Sequence, residues 1–513
     1  MAVALLGANL ALLSGCALPP LDGRPSSQAL PQVEARTTSL GREIGAVAAQ
    51  HPQQTGIHAL RDAREAFAAR VLLARQAERT LDVQYYIWRD DTTGHLLLDE
   101  LRQAADRGVR VRLLLDDNGI AGMDDALAAL DAHPQVDVRL FNPFAFRSFK
   151  PLGFVTDFQR ANRRMHNKSF TADNVATIVG GRNVGDEYFG ATDGVLFADL
   201  DVLAVGSSVD EVSAAFDAYW SSASAYPLSS LVSMPSAQAL QAIEDRAARI
   251  DRSEHAASYK QAVRALPYFQ HDSKADVPFV WANARVLVDN PAKGLGEAAP
   301  EQLLLHHMGE AIGEPQRNLD LVSPYFVPTR QGAEYFVGLA QRGVRVRILT
   351  NSMAATDVLA VHSGYARHRE QLVQGGVTLL ELKPDAQDRS GASSSKDTSL
   401  GSSGSSLHAK TFGVDGERVF VGSFNFDPRS ARLNTELGLV IQSPQLAATM
   451  AKVFDTAAPQ SAWEVRLDPQ TQALRWVDTA RQPEQILETE PLTHWWQRAC
   501  VRLLGLLPIE WML

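Results

Sequence analysis

Hydrophobic and polar positions along the chain fall into short blocks, and the same succession of blocks occurs twice. Leu81-Asp82-Val83-Gln84-Tyr85-Tyr86-Ile87-Trp88 alternates and is rich in β-forming residues, which predicts a strand. Leu97, Leu101 and Ala105 then recur at helical spacing, and Arg107-Gly108-Val109-Arg110-Val111-Arg112-Leu113-Leu114-Leu115 predicts a second strand. In the other half, Leu319-Asp320-Leu321-Val322-Ser323-Pro324-Tyr325-Phe326-Val327 plays the first strand. Phe336 to Ala340 lie in the following helix, and Arg342 to Leu349 repeat the second strand. Arg342 stands 235 residues after Arg107, and Phe454-Asp455 repeats Phe216-Asp217 at an offset of 238. Strand, helix, strand in both halves predicts α/β domains related by duplication.

This repeat divides the chain. Residues 1–16 form an apolar targeting segment and 17–55 a leader containing Pro and Ser. The first repeat spans 56–225, a mostly helical connector 226–275, the second repeat 276–460, and a tail 461–513. The stretch Arg389 to Ser406 is dominated by Ser and Gly, the composition of a loop; it is either a plain linker or a substrate gate at the rim of the site. In the tail, Trp495, Trp496, Ala499, Cys500, Leu503, Leu504 and Leu507 share one helical face, with Arg498 and Arg502 opposite. That helix is too short to span a bilayer, so it either packs on the protein body or lies in a membrane interface.

A length of 513 residues requires more than one core, and 45% hydrophobic with 21% charged residues is a folded, mostly soluble composition. The formal net charge of −10 argues against a nucleic-acid binder, which carries a basic footprint. The two cysteines, Cys16 and Cys500, exclude a disulfide framework, and no metal-ligand spacing occurs. Cys16 closes an apolar run in Leu13-Ser14-Gly15-Cys16, which resembles a bacterial lipobox. Such a cysteine becomes the lipidated N-terminus of an exported envelope protein, and Ala17 after it favours outward sorting. No Lys or Arg precedes the run; a start upstream of Met1 would supply the usual positive charge.

The chemistry is concentrated in a repeated His-x-Lys-x4-Asp pattern. His166-Asn167-Lys168-Ser169-Phe170-Thr171-Ala172-Asp173 is matched by His408-Ala409-Lys410-Thr411-Phe412-Gly413-Val414-Asp415. Each precedes a Gly-containing turn, and Asn183 and Asn425 both fall 17 residues after their histidines. In extended backbone, residues i and i+2 share a face, so each histidine and its lysine point the same way. Two halves meeting about a pseudo-two-fold axis would bring two imidazoles and two ammonium groups into one pocket. That cluster suits a phosphodiester. Lysines and asparagines hold the non-bridging oxygens, one histidine attacks phosphorus, and the other moves the proton of the alcohol. The lysines supply the charge a metal would bring, so no cofactor or metal is expected.

Each histidine needs an acid or carbonyl on its second nitrogen to fix its tautomer. Glu436 is the candidate in the second half, and Asp201, in Asp199-Leu200-Asp201, the nearest counterpart in the first. Asp173 and Asp415 lie five residues beyond their lysines, face away, and are expected to serve the scaffold. Arg160, Arg163 and Arg164 either attract anionic headgroups or belong to a solvated loop.

On these motifs the chain resembles the phospholipase D superfamily and, within it, the bacterial cardiolipin synthases. Val83 to Asp91, Ser323 to Pro328 and Gly422 to Ser430 carry the likeness, and Arg163 to Phe170 are most similar to the cardiolipin synthase C branch. The resemblance spans roughly Leu60 to Phe454. It implies two α/β/α domains packed with pseudo-two-fold symmetry around one shared active site, with His166 as nucleophile and His408 as acid/base. It also implies a phosphatidyltransferase that takes the phosphatidyl group of phosphatidylglycerol or phosphatidylethanolamine through a phosphohistidine to a second lipid, making cardiolipin at a membrane surface. Rival readings are a phospholipase D using water, a nuclease of the same superfamily, and a lipid-binding envelope lipoprotein with a degenerate site. The sequence names no helper protein.

Overall fold

A computed structural model describes residues 18–191, 197–264, 277–384 and 406–513 of the 513-residue chain. Cys16, and the Ser- and Gly-rich stretch apart from Ser406, lie outside the described residues.

The first half contains β1 (Thr55–Leu60), β2 (Thr80–Tyr85), β3 (Arg110–Asp116), β4 (Val136–Phe141), β5 (Ser169–Ala172), β6 (Ala176–Gly180), β7 (Phe197–Ala198), β8 (Asp201–Gly206) and β9 (Ala225–Pro227). The second contains β10 (Val280–Val288), β11 (Asn318–Val322), β12 (Arg345–Asn351), β13 (Thr378–Leu382), β14 (Ser406–Leu407), β15 (Thr411–Val414), β16 (Arg418–Gly422) and β17 (Leu437–Gln442). The tail adds β18 (Ala462–Leu467), β19 (Leu474–Asp478) and β20 (Gln485–Leu487). Neighbouring strands run β4-β3-β2-β5-β6-β8 in one half and β13-β12-β11-β15-β16-β17 in the other. The order is the same in both halves, as a duplication requires.

Parallel neighbours are joined by helices. Thr92–Asp106 crosses from β2 to β3, Asp124–Asp131 from β3 to β4, and Thr329–Gln341 from β11 to β12. The recurring Phe-Asp dipeptides have one job in both halves. Arg112 forks onto Asp82 (2.6 and 2.8 Å), bridges to Asp217 and lies 4.8 Å from the Phe216 ring. Arg347 forks onto Asp320 at the same two distances, bridges to Asp455 and lies 4.9 Å from Phe454. A guanidinium between the strands and the last helix is thus paired twice over and stacked on an aromatic face.

Two of the junctions between the halves lie in the sheets. β1 pairs antiparallel with β10 through Thr55–Ile57, linking the sheets edge to edge. Val179, Val202 and Ala204 of β6 and β8 share one core with Val419, Val421, Leu439 and Ile441 of β16 and β17. The strands carrying the motif turns therefore meet at the centre of the molecule.

Three expectations change in detail. β2 ends at Tyr85 and not Trp88, which instead makes an isolated bridge to Val184. β11 ends at Val322, just before Ser323-Pro324, because proline has no N–H to donate to a ladder. The tail helix, Trp495–Gly505, packs on the helix Leu359–Ala366, but it is turned the unexpected way. Val501 is its buried residue and Arg498 leans inward onto Thr493, while Trp495, Trp496, Ala499, Cys500, Leu503 and Leu507 face solvent. No described helix is long and apolar enough to cross a membrane.

Candidate active site

His166 and Lys168 stand just ahead of β5, and His408 and Lys410 just ahead of β15, so the motif residues precede the strands. Each motif is anchored by the opposite half. The His166 amide donates to Thr435 O, and the His408 amide to Ala198 O, both across the pseudo-two-fold. Lys168 Nζ donates to His166 O (2.5 Å) and Lys410 Nζ to His408 O, so each lysine folds back on its own histidine. All four residues are buried or nearly so, and each lysine lowers the proton affinity of both histidines, as one common pocket requires.

The acids that hold the histidines are exchanged between halves. His166 Nδ1 meets Glu436 Oε2 at 2.9 Å, and His408 Nδ1 meets Asp199 Oδ2 at 2.5 Å. Glu436 therefore serves the first-half histidine and not its own. Asp201, expected beside a histidine, is bound to Arg70 (2.7 Å), to Arg182 and to the Arg182 amide. The reason is register. Asp201 opens β8 and pairs with Gly180 in the ladder, whereas Asp199 lies two residues ahead of that strand, beyond the ladder. Gly438 pairs with Gly422 as Asp201 does with Gly180, so the strand register makes Asp199 the counterpart of Glu436.

The two acid–histidine pairs differ electrostatically. Burial raises Glu436 to about 7, against the pull of Lys168, and the Ser423 hydroxyl donates to the same Oε2. Burial acts on Asp199 as well, but His408, Lys410 and Arg182 outweigh it and hold this carboxyl below its ordinary range. Ser423 has Gly181 as its counterpart, where a Cβ would meet Asp199 Oδ1 at 2.3 Å. Burial and the two lysines lower His166 well below 6.5 and His408 to about 4. Burial also brings Lys168 to about 7 and Lys410 to about 8.

Asn183 accepts from the Ile87 amide through Oδ1, leaving its buried Nδ2 without a hydrogen-bond partner. Asn425 is buried with its side-chain Oδ1 unpaired. An unsatisfied donor is expensive to bury, so the Asn183 Nδ2 beside the first motif fits a group kept for an acceptor. Asn425 meets an anion only through its Nδ2 and not through this oxygen. Asp173 and Asp415 adopt left-handed backbone (φ 51° and 56°). Asp173 accepts from the amides of Glu78, Arg79 and Thr80, and Asp415 from those of Gln316, Arg317 and Asn318. These aspartates tie each motif strand to the entry of its neighbour.

Arg164 is committed internally, to Asp116 and Asn142 O, so it is not a headgroup clamp. Arg160 pairs with Asp157, and Arg163 donates to Arg432 O. Two aromatics that spacing alone does not place at the site pack edge-on to the histidines: Tyr86 on His166 (5.1 Å) and Tyr188 on His408 (5.2 Å). No cluster of three or more metal-ligating side chains occurs among the described residues.

The profile described as "Cardiolipin synthase, PLD-like domain" matches this chain twice, over residues 72–220 and 308–457. The chain belongs to this phospholipase D-like family. Among individual relatives, it is similar to cardiolipin synthase C of Escherichia coli K12, at 49% identity over 90% of this chain and 97% of the relative. A cardiolipin synthase of Oceanobacillus iheyensis is 23% identical over 81% of this chain and 71% of its own length. The crystal structure of phosphatidylserine synthase from Haemophilus influenzae shares the fold, with TM-score 0.56 and 14% identity over 91% of this chain and 99% of that one.

Proposed function

We propose that the protein is a phosphatidyltransferase that makes cardiolipin from phosphatidylglycerol and a second phospholipid. The observation that carries the assignment of roles is the inequality of the two acid–histidine pairs. Burial and Lys410 lower His408 to about 4, and the ionised Asp199 opposes them. That opposition readies this imidazole to take the proton a general acid needs once an anion arrives. The carboxyl of Glu436, raised to about 7, offers much less charge to His166, which stays neutral and keeps a lone pair on Nε2.

The steps follow. His166 Nε2 attacks phosphorus while Lys168, Lys410, Asn183 and Asn425 hold the non-bridging oxygens. The arriving phosphodiester brings negative charge beside two lysines and raises His408 toward protonation. His408 gives its proton to the leaving alcohol as the P–O bond breaks, which leaves a phosphatidyl group on His166. A hydroxyl of a second lipid then loses its proton to His408 and attacks phosphorus, and the P–N bond breaks. Glycerol or ethanolamine leaves in the first half of the cycle and cardiolipin in the second. The similarity to cardiolipin synthase C of Escherichia coli supports this acceptor.

Residues 56–225 and 276–460 are the two catalytic repeats in this reading. Cys16 is its acyl anchor, which puts the protein on the bacterial envelope membrane. The test is incubation with labelled phosphatidylglycerol, with and without phosphatidylethanolamine. Labelled cardiolipin is expected; accumulation of phosphatidic acid alone would make water the acceptor and sink the synthase reading.

A further inference from the structure

The tail helix contradicts the usual rule for an amphipathic helix, since it presents its apolar face outward. Trp495 is 76% exposed, Leu503 64% and Leu506 82%, with Trp496, Leu507 and Trp511 also open. A second group of exposed apolar residues lies far away in sequence, in the segment before the first motif: Phe149, Phe154, Val155 and Phe158. The two groups meet. The Phe158 and Trp511 rings pack edge to face, with centroids 6.5 Å apart.

Arg429 joins both groups to the active site. Its guanidinium donates to Asn162 of the first half and to Met512 O of the tail, and its amide donates to Leu513 O. Asn162 is four residues from His166, and Arg429 four residues from Asn425. Glu510 is fixed to His368 (2.8 Å), and Leu513 lies against Gly364. The chain terminus is therefore a strap across the junction of the two halves, held by polar bonds beneath and apolar above.

Soluble proteins rarely leave so many Trp, Leu and Phe side chains in one exposed group without an occupant. The occupant is indicated by the composition. Indole rings and leucines on the open face, with Arg502 exposed among them, match the interfacial zone of a phospholipid bilayer. Continuity with the site points the same way, because the strap abuts the residues that flank both motifs.

We infer that the Phe149–Phe158 segment and the Trp495–Trp511 strap together form a bilayer-docking rim that seats the active site on a phospholipid surface. The inference rests on the phospholipid reading for its purpose, though not for its test. The rim also works independently of any acyl anchor, since it is built from the folded body.

The test uses the full chain with Cys16→Ser, so that no lipid anchor contributes. It compares this parent with the same chain also carrying Trp495→Ser, Leu503→Ser and Leu506→Ser. Partition onto phosphatidylglycerol–phosphatidylethanolamine vesicles is measured by flotation. Turnover is measured on a short-chain phosphatidylglycerol kept below its micelle concentration. Vesicle partition should fall about ten-fold or more in the triple variant, with monomeric turnover unchanged. Unchanged partition overturns the rim and leaves the enzymatic reading standing. A parent that binds vesicles but never turns over substrate sinks the enzymatic reading and leaves the rim. A parent that is dimeric, becoming monomeric with unchanged vesicle binding in the variant, makes the face a self-association surface and overturns the proposal. Should the triple variant fail to fold, Val155→Asp on the other arm, at a position 81% exposed, is read by the same criteria.

Discussion

His166 Nδ1 lies 2.9 Å from Glu436 Oε2, a carboxylate 270 residues further along the chain and in the other repeat. The reciprocal bond runs from His408 to Asp199, so neither half holds a complete acid–histidine pair by itself. The active site is a property of the docked pair.

That exchange predicts the outcome of nucleophile trapping. His166→Ala should abolish the covalent phosphatidyl-enzyme seen after acid quench of labelled substrate. His408→Ala should still form it, slowed by about 10²- to 10⁴-fold, the usual size of a lost general acid. Label retained in His166→Ala and absent in His408→Ala would reverse the two roles.

Coupling should also cross the halves. Glu436→Gln should lower kcat by about 10²-fold in a wild-type background and have little further effect in His166→Ala. Asp199→Asn should show the same relation to His408. Asp201→Asn, which leaves Arg70 and Arg182 short of a buried partner, should lower the melting temperature and leave the pH profile of kcat/KM in place. A shifted profile in Asp201→Asn would mean that this acid reaches a histidine after all.

Activity should decline on the alkaline side earlier than ordinary lysines would allow. The free enzyme needs both ammonium groups to receive an anion, and burial places Lys168 at about 7 and Lys410 at about 8. The kcat/KM profile is therefore expected to fall between pH 7 and 8, with the acid limb below 6.5 because the neutral form of His166 is favoured. A profile flat to pH 10 would contradict this.

Stability should respond in the opposite direction on acidification. The His408 pKa is about 4 in the folded state, below the unfolded value of 6.5, so protons bind the unfolded chain more readily. Its stabilising contribution is complete above pH 6.5 and is lost as pH falls through 4; it is on the order of 3 kcal/mol. Urea midpoints measured across that window should fall more for the wild type than for His408→Asn.

The paired guanidinium forks are expected to matter for folding alone. Asp82→Ala or Asp320→Ala strands a guanidinium that is buried or nearly so, which typically costs about 3–5 kcal/mol. The partial pairs to Asp217 and Asp455 should soften the loss. Chemical denaturation of each single variant measures it.

Local order determined much of this protein. The strand–helix–strand blocks at an offset near 235, the two His-x-Lys motifs and the asparagines 17 residues on were all readable, because alternation and spacing are short-range and survive duplication. The scaffold role of Asp173 and Asp415 was readable from the same spacing. The choice between Asp199 and Asp201 was not. They stand two residues apart, and only the ladder register with Gly180 and the contact with the other half decide which one meets an imidazole. Tyr86 and Tyr188 likewise reach the histidines through packing that no spacing records. The tail shows the limit most plainly: its sequence displays an apolar face, but where that face points depends on what Val501 and Arg498 find to pack against, which is a fact of the tertiary structure.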